Sequence, residues 1–114
     1  MGTKGEYEDV VAFVLIKTEP EAAAKVAAEA SELNWTEEDD EGGVTVRGVR
    51  WAAVVADSYN VVAAVRVSDE EALEELVQEQ IRPIEGIVNP SVLVVEQLFR
   101  DGKLEGGFGH NGFP

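Results

Sequence analysis

The segment from Val54 to Val67 constrains the fold most, because it is almost continuously apolar. It reads VVADSYNVVAAVRV, and its central Asp-Ser-Tyr-Asn, residues 57–60, is typical of a turn between two strands. Strands with apolar residues at successive positions are buried on both faces of their sheet. A single domain of 114 residues has enough helix to cover one of these faces. We therefore expect a second apolar surface to cover the other.

The charge of the chain argues against several classes of partner. Nine Lys and Arg against 23 Asp and Glu give a formal net charge of −14 at pH 7. A field of this sign repels phosphate backbones and anionic lipids, so we expect no direct contact with nucleic acid or with a membrane. The longest apolar stretch, residues 10–16, is too short for a membrane span, and the acidic start does not look like a secretion signal. The sequence thus predicts a cytoplasmic protein.

Hydrophobic patterns predict four strands and two helices. Segments rich in β-branched residues predict strands at residues 10–16, 44–56, 61–67 and 91–99. Two capping boxes, Thr18 with Glu21 and Ser68 with Glu71, predict the starts of two amphipathic helices. Pro83 is expected to end the second helix.

The element order β-α-β-β-α-β predicts an α+β, ferredoxin-like fold, a four-stranded antiparallel sheet with both helices on one side. The remaining apolar sheet face predicts a homodimer packed sheet to sheet, a dimeric α/β barrel. We expect the domain over residues 10–100, a flexible N-terminus over 1–9 and a flexible Gly-rich tail over 101–114. The acidic stretch NWTEEDDEGG, residues 34–43, is predicted to be an exposed loop.

Three consecutive blocks of sequence carry a family resemblance. They read AFVLIKTEP, GVRWAAVVADSYNVVAAVRVSDEEALEELV and IRPIEGIVNPSVLVVE, and together they span roughly Val11 to Glu96 apart from the acidic loop. Their order and spacing resemble the effector-binding (RAM) domain of the Lrp/AsnC transcription regulators, in its stand-alone form without a helix-turn-helix. The resemblance implies a ring of dimers and a small amino-acid effector. It also implies a role in transcription regulation, by effector binding or by modulating a partner regulator protein.

The same resemblance implies where an effector binds. In the family the second hairpin turn usually reads Gly-x-Tyr-Asp, and effectors bind near it, between dimers. Of this pattern the present chain keeps the tyrosine, Tyr59. The family's Thr-x-Thr at the start of the last strand is replaced here by Pro-Ser-Val, residues 90–92. The implied ligand-binding residues are Asp57, Ser58, Tyr59, Asn60, Asn89 and Ser91, and ordinary turn chemistry or strand packing is the alternative for each.

Two other classes of protein stay open. Dimeric ferredoxin-like barrels include small monooxygenases and isomerases, but the apolar strands offer no buried His, Cys or Lys, and we predict no catalytic residue and no cofactor. Glu96 is the acid expected near the sheet, paired with Arg66. The second alternative is a structural assembly module that docks on a partner through Phe108 and Phe113 of the tail.

No metal site is predicted. The acidic run from Glu37 to Glu41 lacks the ligand spacing of a calcium loop, and it is expected to be a solvated charge run. The single histidine, His110, lies in the Gly-rich tail, where nothing orients it, so it is assigned no chemistry. The chain has no cysteine to supply a thiolate ligand.

Overall fold

The computed structural model describes residues 9–56 and 59–104, which form seven strands and two α-helices. The main sheet contains β1 (Val10–Thr18), β2 (Asn34–Glu38), β3 (Val44–Val54), β4 (Val61–Val67) and β5 (Ile87–Val94). A 3₁₀ turn over Pro20–Ala22 leads into helix α1 (Ala23–Ser31). Helix α2 (Glu70–Glu75) continues into a π-helical segment, Leu76–Ile81. The short strands β6 (Phe99–Arg100) and β7 (Lys103–Leu104) pair with each other.

The sheet has the spatial order β2-β3-β4-β1-β5, and neighbouring strands are antiparallel. Without β2 this is the predicted four-stranded ferredoxin-like arrangement, so the α+β fold class is confirmed. Both helices pack on the same face of the sheet. Their buried residues, such as Val26 and Leu76, share one core cluster with Val14 on β1 and Val65 on β4.

The predicted loop over residues 34–43 is wrong in its first half, because Asn34–Glu38 forms β2 and pairs with β3. Two features explain the strand. Trp35 is half-buried and packs on the helix-side core. Gly48, with φ of 100°, lets the chain approach closely, since a Cβ there would lie 2.4 Å from the carbonyl oxygen of Leu33. The true loop is residues 39–43, where the Asp39 carboxylate accepts hydrogen bonds from the backbone of Glu41 and Gly43 at 2.9 and 2.7 Å.

Both predicted capping boxes are also wrong in detail. The hydroxyl of Thr18 donates to the carbonyl of Glu19 at 2.8 Å, and no side chain caps the 3₁₀ turn that precedes α1. At α2 the cap is Asp69, whose carboxylate accepts from the backbone N–H of Ala72 at 2.8 Å. Aspartate and serine are about equally good N-caps, so the sequence alone does not distinguish Asp69 from Ser68. In the structure Asp69 is the cap, and the helix starts one residue later than predicted.

The range of the last predicted strand is also wrong. The last strand of the main sheet is Ile87–Val94 and not residues 91–99, because β1 extends to Thr18 and pairs as far back as Ile87. Phe99 belongs instead to the β6–β7 hairpin, which includes part of the stretch predicted as tail. Asp9, assigned to the N-terminal segment, is buried. None of the helices in the described ranges is long and apolar enough to cross a membrane.

Candidate functional site

The face of the sheet opposite the helices is apolar, as the sequence predicts. The strand register places Trp51, Ala64, Phe13 and Leu93 in one row across the sheet, and it places Ala53, Val62, Leu15 and Ser91 in the next row. Directly paired residues of antiparallel strands share a face. The rings of Phe13 and Trp51 lie 6.2 Å apart between centroids and are tilted by 48°. We call these two rows the open face.

The open face is covered only in part within the described residues. Ala64 of the first row is fully buried, and so is Val11, which lies on the same side of the sheet two residues before Phe13. Both pack beneath Phe13, Trp51, and the residues Val95 and Leu98 that follow β5. Most of the other apolar side chains are half-exposed, and Leu93 exposes 53% of its surface. Its cover by a second copy of the chain stays a prediction.

Asn60 fastens the β3–β4 turn to the end of β1. Its side-chain Oδ1 accepts a hydrogen bond from the backbone N–H of Thr18 at 3.0 Å. Its own N–H donates to the carbonyl of Ile16 at 3.1 Å, and its carbonyl accepts from the N–H of Val55 at 2.8 Å. Asn60 therefore has a structural role, and its carboxamide NH₂ is the part that can still donate to a ligand.

The structure places other predicted site residues near the same end of the sheet. Asn89 pairs in register with Lys17, and Ser91 pairs with Leu15, so both lie close to the point where Asn60 contacts β1. Tyr59, which directly precedes Asn60 in the sequence, is half-buried. The other two predicted ligand residues, Asp57 and Ser58, and the tail residues Phe108, His110 and Phe113 lie outside the described residues.

A buried ionic network near the start of β1 was not predicted from the sequence. Arg66 donates from Nε to the carboxylate of Asp9 at 2.7 Å, and Arg47 donates to the same oxygen. The expected pairing of Arg66 with Glu96 is therefore wrong. The side chains of Asp9 and Arg66 expose 6% and 5% of their surfaces. A buried Arg needs a carboxylate, but the sequence alone does not say which of 23 acids supplies it.

Two pKa shifts follow from this network. The pKa of Glu37 is lowered by the hydrogen bond from the Trp35 indole at 2.9 Å and by Arg47 Nε, also at 2.9 Å. Burial acts to lower the pKa of Arg47, but the hydrogen bonds to Asp9 and Glu37 raise it above its ordinary value. These shifts belong to structural ion pairs. In the described part of the chain, no group of three or more His, Cys, Asp or Glu side chains could hold a metal ion.

Solved structures of transcription regulators share this fold. AsnC of E. coli superposes with a TM-score of 0.63 at 19% identity, over 88% of this chain and 60% of AsnC. The transcriptional regulator NMB0573 from Neisseria meningitidis, solved as a complex with L-Met, gives 0.62 at 12% identity over 90% of this chain and 59% of that one. The protein TTHA0845 from Thermus thermophilus gives 0.62 at 24% identity, over 80% of this chain and 98% of the other.

These likenesses establish the fold. No protein-family model and no curated protein sequence matches this chain. The chain spans about 60% of the length of AsnC. It has the fold of a RAM-like domain, and the resemblance to Lrp/AsnC regulators noted in the sequence is confirmed at the level of the fold.

Proposed function

We propose that this chain is a stand-alone Lrp/AsnC-type effector-binding and oligomerisation domain that takes part in transcription regulation without contacting DNA itself. The observation that carries the proposal is the open face, an apolar sheet surface on a regulator-type fold. Monomeric soluble proteins rarely expose apolar patches larger than a few hundred Å². The excess of carboxylates argues against direct DNA contact, because it repels phosphate groups.

A homodimer accounts for the open face. A second copy offers an equally apolar surface, and a two-fold axis brings the same patch of each subunit together. Leu93 and the half-exposed Phe13 and Trp51 would then form the centre of the interface, where aromatic residues contribute most. We call the end of the sheet that carries the β3–β4 turn the turn end. A ring of such dimers would bring the turn ends of neighbouring dimers together.

The ligand we propose is a small neutral or cationic amino acid, bound at the turn end between dimers. Asp57 would pair with the ammonium group of the ligand, and the carboxamide NH₂ of Asn60 would orient it. The carboxylate of the ligand would need a backbone N–H or an arginine, since a second acid would repel it. The complex of the Neisseria regulator with L-Met supports a ligand of this size. Binding of the amino acid would then change the action of this chain on a partner regulator protein.

Calorimetric titration of the full chain with each of the twenty amino acids, beginning with L-methionine, tests the proposal. We expect saturable binding of at least one of them. Tyr59→Ala should abolish this binding and leave the dimer intact, whereas Tyr59→Phe, which keeps the ring, should retain it. If no amino acid binds, the effector role is wrong. If Tyr59→Ala instead dissociates or unfolds the protein, Tyr59 is a packing residue.

A further inference from the structure

A groove with a volume of about 280 Å³ runs between the strand β5 and α2 with its π-helical continuation, on the helix side of the sheet. Its floor is apolar and consists of Leu73, Val77, Val92 and Val94. The first two are buried, but Val92 and Val94 on β5 are 39% and 48% exposed. Its rim consists of Glu70, Glu74 and Gln78, all exposed. The groove is therefore an exposed apolar strip beside two carboxylates.

The floor of this groove borders a free sheet edge. β5 is the last strand of the sheet, and no strand of the described residues pairs with its outer edge. The N–H of Val95 donates to the carbonyl of Val11 at 2.8 Å. Because hydrogen-bonded pairs recur at every second residue of an antiparallel ladder, Leu93 also faces β1 with its backbone. The N–H and C=O groups of Val92 and Val94 therefore point outward.

Natural proteins usually protect such an edge with lysines, prolines or bulges. Pro90 falls at an outward-facing position, so it costs the ladder with β1 no hydrogen bond and blocks the first part of the edge. The second part, Val92 to Val94, carries no charge and no proline. An unprotected edge beside an apolar groove is the arrangement that accepts an added strand from a partner.

The negative charge around the groove favours a basic partner over a second copy of this chain. A second copy of this chain would bring its own Glu70 and Glu74 to the same place, on a molecule of net charge −14, so self-pairing at this edge is disfavoured. Lysine or arginine on an added strand can instead lay its aliphatic stem on Val92 and Val94 and place its charge beside the rim. On the other side of the added strand, apolar residues would extend the open face past Leu93.

We propose that the outer edge of β5 and the groove beside it bind an extended segment of a partner protein, with alternating basic and apolar residues, by antiparallel strand addition. The effector hypothesis concerns the turn end of the open face, whereas this groove lies on the helix side. Either proposal can therefore fail without the other.

The probe is the fluorescein-labelled peptide acetyl-Lys-Val-Lys-Val-Lys-Val-amide, and the readout is the fluorescence anisotropy of its titration with the full chain. We expect saturable binding that the double variant Glu70→Gln, Glu74→Gln weakens about fivefold, as expected for two exposed ion pairs. The matched control is Glu71→Gln with Glu79→Gln, which removes the same charge from carboxylates outside this groove and should weaken binding less than about twofold. Equal weakening by both double variants would overturn the proposal, because it would indicate attraction to the net charge alone.

Backbone methylation of the peptide tests strand addition without altering the protein. Residues directly opposite Val92 and Val94 in the ladder have side chains on the helix side, so they are the lysines of the probe. N-methylation of the lysine amides should therefore abolish binding, and methylation of the same number of valine amides should preserve it. Binding that survives lysine methylation would overturn the proposal.

Discussion

A single carboxylate at the start of β1 holds two arginines in place. Asp9 accepts hydrogen bonds from Arg66 and Arg47, and the side chains of Asp9 and Arg66 are almost fully buried. Asp9→Asn keeps the shape but removes the carboxylate that pairs with Arg66 and one of the two carboxylates that pair with Arg47. Breaking a buried ion pair by removing one partner destabilises a protein by about 3–5 kcal/mol. We expect urea denaturation to show a loss of about 3 kcal/mol, toward the lower end because asparagine still accepts one hydrogen bond.

Asp40→Asn provides the matched control for this prediction. Asp40 is exposed in the loop over residues 39–43, so its substitution should change the free energy of unfolding by less than about 0.5 kcal/mol. A loss in Asp9→Asn no greater than that in Asp40→Asn would contradict the buried network.

Glu37 gives the stability of the protein a pH dependence of defined sign. The hydrogen bonds from Trp35 and Arg47 hold its pKa below the ordinary value of 4.5. A depressed pKa means that the ionised form stabilises the folded state above 4.5, and that this stabilisation is lost as the pH falls through the lowered pKa. The melting temperature of the wild type should therefore exceed that of Glu37→Gln at neutral pH, and the difference should close in acid.

The neighbouring exposed residue, substituted as Glu38→Gln, controls for the loss of one charge from the same strand. Because Glu37 is itself nearly half-exposed, solvent screens its pairs and we expect a small effect. A difference between wild type and Glu37→Gln that stays constant from neutral pH to well below 4.5 would show that the two hydrogen bonds do not stabilise the ionised form.

At the scale of the elements, α2 depends on a cap that the sequence pattern placed one residue too early. The carboxylate of Asp69 accepts from the backbone N–H of Ala72, and Ser68 precedes the cap. Asp69→Ala should lower the free energy of unfolding by about 1 kcal/mol, whereas Ser68→Ala should have little effect. Thermal or urea denaturation of the two variants distinguishes them. A larger loss of stability in Ser68→Ala than in Asp69→Ala would show that Ser68 is the cap, as the capping box predicted.

The strands that the sequence predicted are the ones whose local pattern agrees with their tertiary environment. β1 and β4 are apolar at successive positions and are buried, so both were predicted from sequence. β2 was missed because its sequence, NWTEE, has no apolar alternation. It forms because Trp35 packs on the core and because Gly48 on β3 leaves room for Leu33. Both causes are contacts between distant residues, which propensity does not report.

Contacts between distant residues also limit what the sequence can predict about the candidate sites. The turn residues could be proposed as a site because Tyr59 keeps a residue common in the family that the sequence resembles. The hydrogen bond of Asn60 to Thr18 joins residues 42 positions apart, so no local pattern could reveal that its oxygen is already occupied. The groove beside β5 was also missed, since its floor combines residues of α2 and β5 that meet only in the folded chain.

At the scale of the whole molecule, the central prediction is that two copies pack through the open face. Leu93 is 53% exposed in the single chain, so Leu93→Lys should leave the fold intact but place a charge in the dimer interface. Sedimentation velocity should show a dimer for the wild type at micromolar concentration and a monomer for Leu93→Lys.

Val54→Lys is the matched control for the dimer. Val54 is 55% exposed and pairs with Val61, which belongs to the helix-side core, so its side chain lies away from the open face. This variant should remain dimeric. If the wild type sediments as a 12.3 kDa monomer and does not bind a dye that reports exposed apolar surface, the open face is covered in another way.

The net charge of −14 opposes both folding and association of so small a domain. Within residues 9–56 and 59–104, most of the carboxylates are exposed, including those at 37–41 and along α2. Two arginines pair with the buried Asp9, whereas Lys25 pairs with Glu29 at the surface. Salt screens exposed charges over a Debye length of about 8–10 Å at physiological ionic strength, but it screens a buried pair much less. Added KCl should therefore weaken the repulsion among the exposed carboxylates and leave the buried ion pairs of Asp9 largely intact. The melting temperature should then rise between low and molar salt. Sodium chloride should act similarly, because the effect requires ionic strength and not a bound ion. A flat or falling melting temperature would show that repulsion among the surface carboxylates does not limit the stability of this protein.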